Sequence, residues 1–170
     1  MTEILITEYP ARTLIGKSAD FYGAMSPKFN GQEVLGPVWE FVMSKLPELH
    51  LPLESVMIGA TRPADSVEAA NGLMTQFVGV VVAEVPADLH GLEVLYAEGG
   101  LHAYVEHVGS MDGLVHSVRK FYEELLPASG YQLRTGFHLE IYDKRFDMRS
   151  SESIMTIAAP VQQKAEFPST

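Results

Sequence analysis

The feature that most constrains the fold is an order of apolar periods that occurs twice along the chain. In each round, extended segments and a helical segment are followed by two further strands. The first round comprises strands at 4–9 and 13–17, a helix at 31–46, and strands at 56–61 and 77–85. The second comprises strands at 92–96 and 101–108, a helix at 111–126, and strands at 137–142 and 154–159. The sequence therefore predicts two related modules, residues 1–86 and 90–161, followed by a polar tail at 162–170.

Two such modules indicate an α+β fold built on one antiparallel sheet. Each helix carries a single apolar stripe that must be buried, so we expect both helices on the same face of the sheet. The two pseudo-symmetric strand-helix-strand-strand modules would leave the other face free to form a ligand groove at their junction. Pro37 is expected in the first turn of the first helix, because its missing N–H does no harm there. The regular helix would then begin near Gly36, and residues 49–53 would end it.

Composition and charge limit the classes of protein that fit. A chain of 170 residues with 46% apolar content supports one well-filled core. No apolar run approaches the roughly 18 residues of a membrane span, and the N-terminus shows no basic and apolar leader. The absence of cysteine excludes disulfides and thiolate chemistry, and we expect a cytoplasmic protein, as a monomer or a homodimer. A net charge of −10 argues against direct nucleic-acid binding, because such binding depends on Lys and Arg.

Strand alternation places the polar residues of the 137–142 strand on one face. His138, Glu140 and Tyr142 share that face, whereas Leu139 and Ile141 share the other. If the aliphatic pair packs under the helices, the carboxylate of Glu140 faces the groove. The alternative interpretation is that these polar residues form the solvent side of an amphipathic strand.

The same alternation in the 101–108 strand sends Tyr104 to one face, together with His102 and Glu106. A carboxylate framed by aromatic rings suits an organic cation. Ring faces attract positive charge, and the carboxylate supplies a counter-ion in a partly dehydrated site. Tyr104 is therefore a candidate ring for the groove around Glu140.

Several motifs in the second module resemble those of the GyrI-like or AraC effector-binding domain family. They are Gly99-Gly100 before Leu101-His102-Ala103-Tyr104, Gly109 before the helix, Leu126 to Tyr131 after it, and Leu139-Glu140-Ile141-Tyr142. The preceding half is similar to the first module of that family, so the resemblance covers nearly the whole chain. It implies a ligand pocket in which Glu140 is the central counter-ion among aromatic rings.

Trp39 and Tyr22 are candidates for the wall of that groove. Trp39 is the only tryptophan and has helical spacing, which also fits a core residue. Tyr22 precedes a loop with Gly23, Pro27 and Asn30, which could act as a lid or lie exposed. The candidate ligand-binding set is therefore Glu140, Tyr142, Tyr104, Trp39, Tyr22 and His138.

Metal and cofactor chemistry find no support in the motifs. His102 and His107 are five residues apart on one strand, hence on opposite faces, so they form no ligand pair. The sequence contains no dinucleotide fingerprint, Walker loop or nucleophile elbow. We therefore expect no metal and no cofactor.

Three functions remain compatible with the sequence. The first is binding of a small, cationic or electrophilic organic molecule, which the resemblance favours. The second is hydrolysis of strained electrophilic rings, with Glu140 as general base and the hydroxyl of Tyr104 assisting, since some GyrI-like proteins resemble such hydrolases. The third is a protein-interaction role like that of gyrase-modulating relatives.

Overall fold

The computed structural model describes residues 3–52 and 55–166. The strands of this part of the chain are β1 Leu5–Tyr9, β2 Arg12–Tyr22, β3 Met57–Pro63, β4 Leu73–Val82, β5 Glu93–Ala97, β6 Gly100–Val108, β7 Tyr131–Leu133, β8 His138–Tyr142 and β9 Ile154–Gln163. The α-helices are α1 Gly31–Lys45, α2 Leu114–Lys120 and the single turn α3 Leu126–Ala128, with a π-helical turn, Phe121–Leu125, between the last two. Short 3-10 turns occupy Leu46–Leu49, Val67–Asn71 and Met111–Gly113. No helix among the described residues is long and apolar enough to cross a membrane.

All paired strands are antiparallel and belong to one sheet of order β1-β6-β9-β8-β3-β4-β2-β5, with β7 added beside β9. The order is pseudo-symmetric about the β8–β3 pair, because each half contains three strands of one module and an outer strand from the other. The predicted α+β fold with an antiparallel sheet is confirmed. The centre of the sheet is therefore the junction between the modules.

The register across the centre shows which side chains share a face. Ile157 pairs with Glu140, Glu140 with Gly59, and Gly59 with Val78. Ile157 packs in a cluster with Phe121 of the second helical segment, and Val78 packs in a cluster with Val42 of α1. Both helical segments therefore cover the same face of the sheet, as predicted.

The outer strands meet at two short connections. β1 and β2 are joined by Pro10-Ala11, β5 and β6 by Glu98-Gly99, and β1 pairs with β6 while β2 pairs with β5. The backbones cross so closely that a Cβ on Gly99 would lie 2.4 Å from the carbonyl oxygen of Tyr9. The face opposite the helices carries its own apolar cluster: Leu14, Ile58, Ala60, Phe77, Leu139, Ile141 and Ala158.

Several element boundaries differ from the sequence prediction. α1 begins at Gly31, so the expectations that the regular helix starts near Gly36 and that Pro37 lies in its first turn are wrong. Pro37 is solvent-exposed inside the helix, where water can hydrogen bond to the carbonyl that lacks its usual N–H donor. β2 and β4 extend through polar residues because they pair along ten positions, where Thr75 and Asp20 hydrogen bond across the strands.

At the C-terminal end, β7 was not predicted, and it pairs with residues 161–163 of β9. Gln162 and Gln163 thus belong to a strand rather than to the expected polar tail. The predicted helix stop at Leu53 and the tail residues 167–170 lie outside the described residues.

Candidate functional site

Glu140 lies at the centre of the sheet, on the strand next to the module junction. Its carboxylate accepts a hydrogen bond from the Tyr142 hydroxyl at 2.8 Å and a weaker one from the Gln76 side-chain nitrogen at 3.5 Å, both on Oε2. The residue is partly buried. Burial raises the pKa of Glu140, and the hydrogen bonds from Tyr142 and Gln76 oppose that rise. The site thus holds a carboxyl group that neutral donors stabilise only in part.

Gln76 forms the floor beside this carboxylate. Its side chain is 1% exposed, and its Nε2 also donates to the hydroxyl of Thr61 at 3.0 Å. Its Oε1 is buried without a hydrogen-bond partner among the described residues. The space for the amide comes from Gly59, where an added Cβ would lie 2.6 Å from Gln76 Nε2. A buried acceptor is therefore left open next to the carboxylate of Glu140.

Aromatic rings enclose the other side of the Glu140–Tyr142 pair. The Tyr142 ring is met edge-on by Trp39 of α1 at 4.9 Å between centroids and by Phe146 at 4.7 Å. Burial and the charge of Glu140 raise the pKa of Tyr142 well above its usual value, so the hydroxyl remains protonated and donates. Trp39 is only partly buried and contacts the clusters under both helical segments. It therefore lies where the two modules meet.

A second hydrogen-bonded pair lies beside Glu140 and consists of His138, on the same strand, and Tyr122. The Tyr122 hydroxyl lies 2.5 Å from His138 Nδ1, and Tyr122 belongs to the π-helical turn. Such turns are frequent at functional sites. Burial lowers the pKa of His138 to about 4, and burial together with the charge of Glu140 raises that of Tyr122. Both groups are consequently neutral near pH 7.

The structure corrects the face on which this site lies. Glu140 and Tyr142 are under the helices, whereas Leu139 and Ile141 pack on the opposite face. The aliphatic residues that fill the helix contacts come instead from neighbouring strands, among them Val105, Ile157, Val78 and Val80. Because cross-strand pairing aligns Glu140 with Ile157, the polar side of β8 is carried under the helices. Tyr142 is 8% exposed, so the solvent-side interpretation is also wrong.

The predicted site residues therefore lie in three places. Glu140, Tyr142, Trp39 and His138 come together on the helix face. Tyr104 packs on the opposite face, with its ring 6.2 Å from that of Tyr9, because its strand is paired in the register that aligns it with Ala158. Tyr22 lies at the end of β2, where its hydroxyl donates to Glu68 at 3.1 Å. Neither tyrosine belongs to the Glu140 cluster.

Sequence reasoning did not place Gln76, Phe146 or Tyr122 at the site. Gln76 had a signal, because it is a polar residue with the same strand parity as Val78 and Val80. Phe146 follows β8 in a turn whose direction no local pattern indicates. Its contact with Tyr142 is a tertiary one.

The family model for the GyrI-like small molecule binding domain matches residues 2–162. The chain belongs to this family. No curated protein matches the sequence of this GyrI-like domain.

Three solved structures show the same fold at low sequence identity. SAV2435, solved bound to tetraphenylphosphonium, has a TM-score of 0.71 and 16% identity, with 94% of each chain covered. The EcmrR C-terminal domain has a TM-score of 0.65 and 18% identity, covering 96% of this chain and 99% of that one. A hydrolase from Listeria innocua has a TM-score of 0.51 and 14% identity, covering 94% and 92%.

Proposed function

We propose that this GyrI-like domain binds small amphipathic organic cations on its helix face, with Glu140 as the counter-ion. The observation that carries the proposal is the set of partners of this carboxylate. Its hydrogen-bond donors are a tyrosine hydroxyl and an amide, and no described Lys or Arg forms an ion pair with it. A partly buried carboxylate without a paired cation is costly, and a bound cation offsets that cost.

The neighbouring side chains fit an amphipathic cation rather than a metal ion. Trp39, Tyr142 and Phe146 supply apolar surface and ring faces for an organic body. His138 is neutral and hydrogen bonded to Tyr122, so it neither repels a cation nor neutralises Glu140. The fold is shared with SAV2435, whose structure contains the organic cation tetraphenylphosphonium.

Gln76 adds a polar contact to the same site. Its open Oε1 is an acceptor, and an unsatisfied buried acceptor costs about 1–3 kcal/mol. A ligand N–H donor beside Glu140 would satisfy it. The proposed ligand class therefore includes protonated amines as well as cations without N–H groups.

The same proposal excludes nucleic acid as a partner. The ligand is a small molecule and not a nucleic acid, because net charge −10 disfavours phosphate backbones.

The test uses a cation, a neutral analogue and a charge-removing variant. Wild type and Glu140→Gln are titrated by calorimetry with tetraphenylphosphonium and with triphenylphosphine oxide, which keeps three rings without the charge. Removing one member of a partly buried charge pair costs on the order of 2 kcal/mol or more, so cation affinity should fall about 30-fold or more. Affinity for the neutral analogue should change little. Equal loss for both ligands would show that Glu140 acts through folding, and the proposal would fail.

Hydrolysis of a strained electrophilic ring is the second candidate function. The raised pKa of Glu140 favours it, because a desolvated carboxylate is a stronger general base near neutrality. Tyr104 lies on the opposite face, so the assisting hydroxyl in that reaction would come from Tyr142 or Tyr122.

A further inference from the structure

A separate cleft opens on the sheet face opposite the helices. It has a volume of about 360 Å³ and is lined by residues of β1, β2, β6, β8 and β9 together with the turn after β8, including Tyr9, Arg12, Tyr104, Ile141, Arg145 and Thr156. None of the residues that surround Glu140 lines it. Its volume lies at the lower end of the roughly 300–1,000 Å³ of small-molecule pockets. It is therefore a site of its own, and its ligand does not depend on the function proposed for Glu140.

The two arginines of this cleft differ in their partners. Arg145 donates to Glu106 at 2.6 Å and to Asp143 at 3.0 Å, so both carboxylates of the cleft accept hydrogen bonds from one guanidinium. The Nη1 of Arg12, by contrast, is buried without an acceptor in the part of the chain that the structure describes. Its guanidinium lies 5.0 Å from the ring centroid of Tyr9. Arg12 thus carries the unsatisfied N–H donor of the cleft.

The neighbouring titratable groups are consistent with that charge. Burial lowers the pKa of Arg12, which indicates a guanidinium removed from water without a carboxylate to stabilise it. The pKa of His102, whose ring is 5.2 Å from that of Tyr9, is lowered by burial and further by the charges of Arg134 and Arg12. The charge of Arg12 therefore acts on His102 as well as on Tyr9 at this end of the cleft.

We propose that this cleft binds a small organic monocarboxylate, with its carboxylate on Arg12 and its body against the rings of Tyr9 and Tyr104. The planar guanidinium fork matches a carboxylate, and charge-assisted hydrogen bonds of this kind are about twice as strong as neutral ones. Ile141 and Val56 supply apolar wall for the body of the ligand. Glu106 and Asp143 disfavour a dianion such as phosphate, because one unpaired arginine cannot compensate a second negative charge.

The experiment measures benzoate binding to the full chain by calorimetry and by two-dimensional NMR. Benzamide serves as the neutral isostere and inorganic phosphate as the multivalent anion. The variants are Arg12→Gln, Arg12→Lys and the matched control Arg62→Gln, because Arg62 also lies over an aromatic ring, Phe137, at 5.5 Å but outside the cleft. Benzoate should bind at least about tenfold more tightly than benzamide or phosphate.

Arg12→Gln should weaken benzoate binding about tenfold or more, Arg12→Lys should weaken it less, and Arg62→Gln should leave it unchanged. Benzoate should shift the amide signals of Thr7, Tyr104 and Thr156 and not those of Gln76 and Trp39; this measurement on wild type stands even if Arg12→Gln fails to fold. The proposal is overturned if wild type does not bind benzoate, if phosphate binds as tightly, if Arg12→Gln binds like wild type, or if the shifts map to the helix face.

Discussion

The hydroxyl of Tyr142 donates a 2.8 Å hydrogen bond to Glu140, two residues earlier on the same strand. Side chains at i and i+2 of a strand point to the same face, so the Glu-x-Tyr spacing by itself brings these groups together. The bond favours the ionised form of Glu140 and opposes the rise in its pKa that burial causes. The tyrosine thereby adjusts the pH at which the site carries its negative charge.

Tyr142→Phe should therefore move the pH dependence of cation binding. Binding needs the ionised carboxylate, so affinity for tetraphenylphosphonium should rise with pH through the raised pKa of Glu140. Loss of the Tyr142 hydrogen bond raises that pKa further, which shifts the midpoint to higher pH. Calorimetric titrations across about pH 4 to 8 measure the shift. Glu140→Gln is the control and should show no such midpoint, whereas an unchanged midpoint in Tyr142→Phe would contradict the role given to the hydroxyl.

The rings on the two faces should have different effects on cation binding. Trp39→Ala removes a ring beside the Glu140–Tyr142 pair and should lower the affinity for tetraphenylphosphonium by about 1–2 kcal/mol. Trp39→Phe keeps an aromatic ring and should lose less. Tyr104→Ala alters the opposite face and should leave this affinity unchanged. Calorimetry measures the affinities, and thermal unfolding confirms that each variant is folded. A loss of cation affinity in Tyr104→Ala would show that the cation binds on the face opposite the helices.

His138 should contribute stability that depends on pH. Its pKa is lowered to about 4 in the folded protein from an ordinary value of 6.5, so the folded state favours the neutral ring. The stabilisation is fully present above the unfolded pKa and is lost as the pH falls through the folded one. Relative to His138→Gln, wild type should lose up to about 3 kcal/mol of unfolding free energy between about pH 7 and 4. Urea denaturation at several pH values tests this; parallel curves for both proteins would show that His138 does not titrate in this range.

Turnover is the observation that separates binding from hydrolysis. We expect wild type to bind strained electrophiles without turnover. With substrate in excess, product formation should not exceed one equivalent per protein molecule. If multiple turnover occurs, it should increase with pH through the raised pKa of Glu140, because the base must be ionised. Glu140→Gln should then lower the rate about 100-fold or more. That pair of results would establish the hydrolase function instead.

The sequence by itself determined the fold class and which residues of a strand share a face. Apolar periods predicted two helices and an antiparallel sheet, because burial of one stripe or one strand face leaves a local pattern. The alternation also grouped His138, Glu140 and Tyr142 correctly, and it separated them from Leu139 and Ile141. These relationships follow from backbone geometry over a few residues and need no partner strand.

Only the tertiary structure decided which face each group occupies. A strand pattern defines two faces but does not show which face lies under a helix. For β8, the covered face was set by pairing with β9 and β3, which aligns Glu140 with Ile157 and Gly59. The same pairings bring Gln76 from another module to the carboxylate, and helix packing brings Trp39 to Tyr142. Contacts between residues about 60 to 100 positions apart depend on sheet order and register, which a local pattern does not encode. For that reason the sequence could propose Glu140 as the centre of a site, whereas only the fold decided that Tyr104 lies on the opposite face of the sheet.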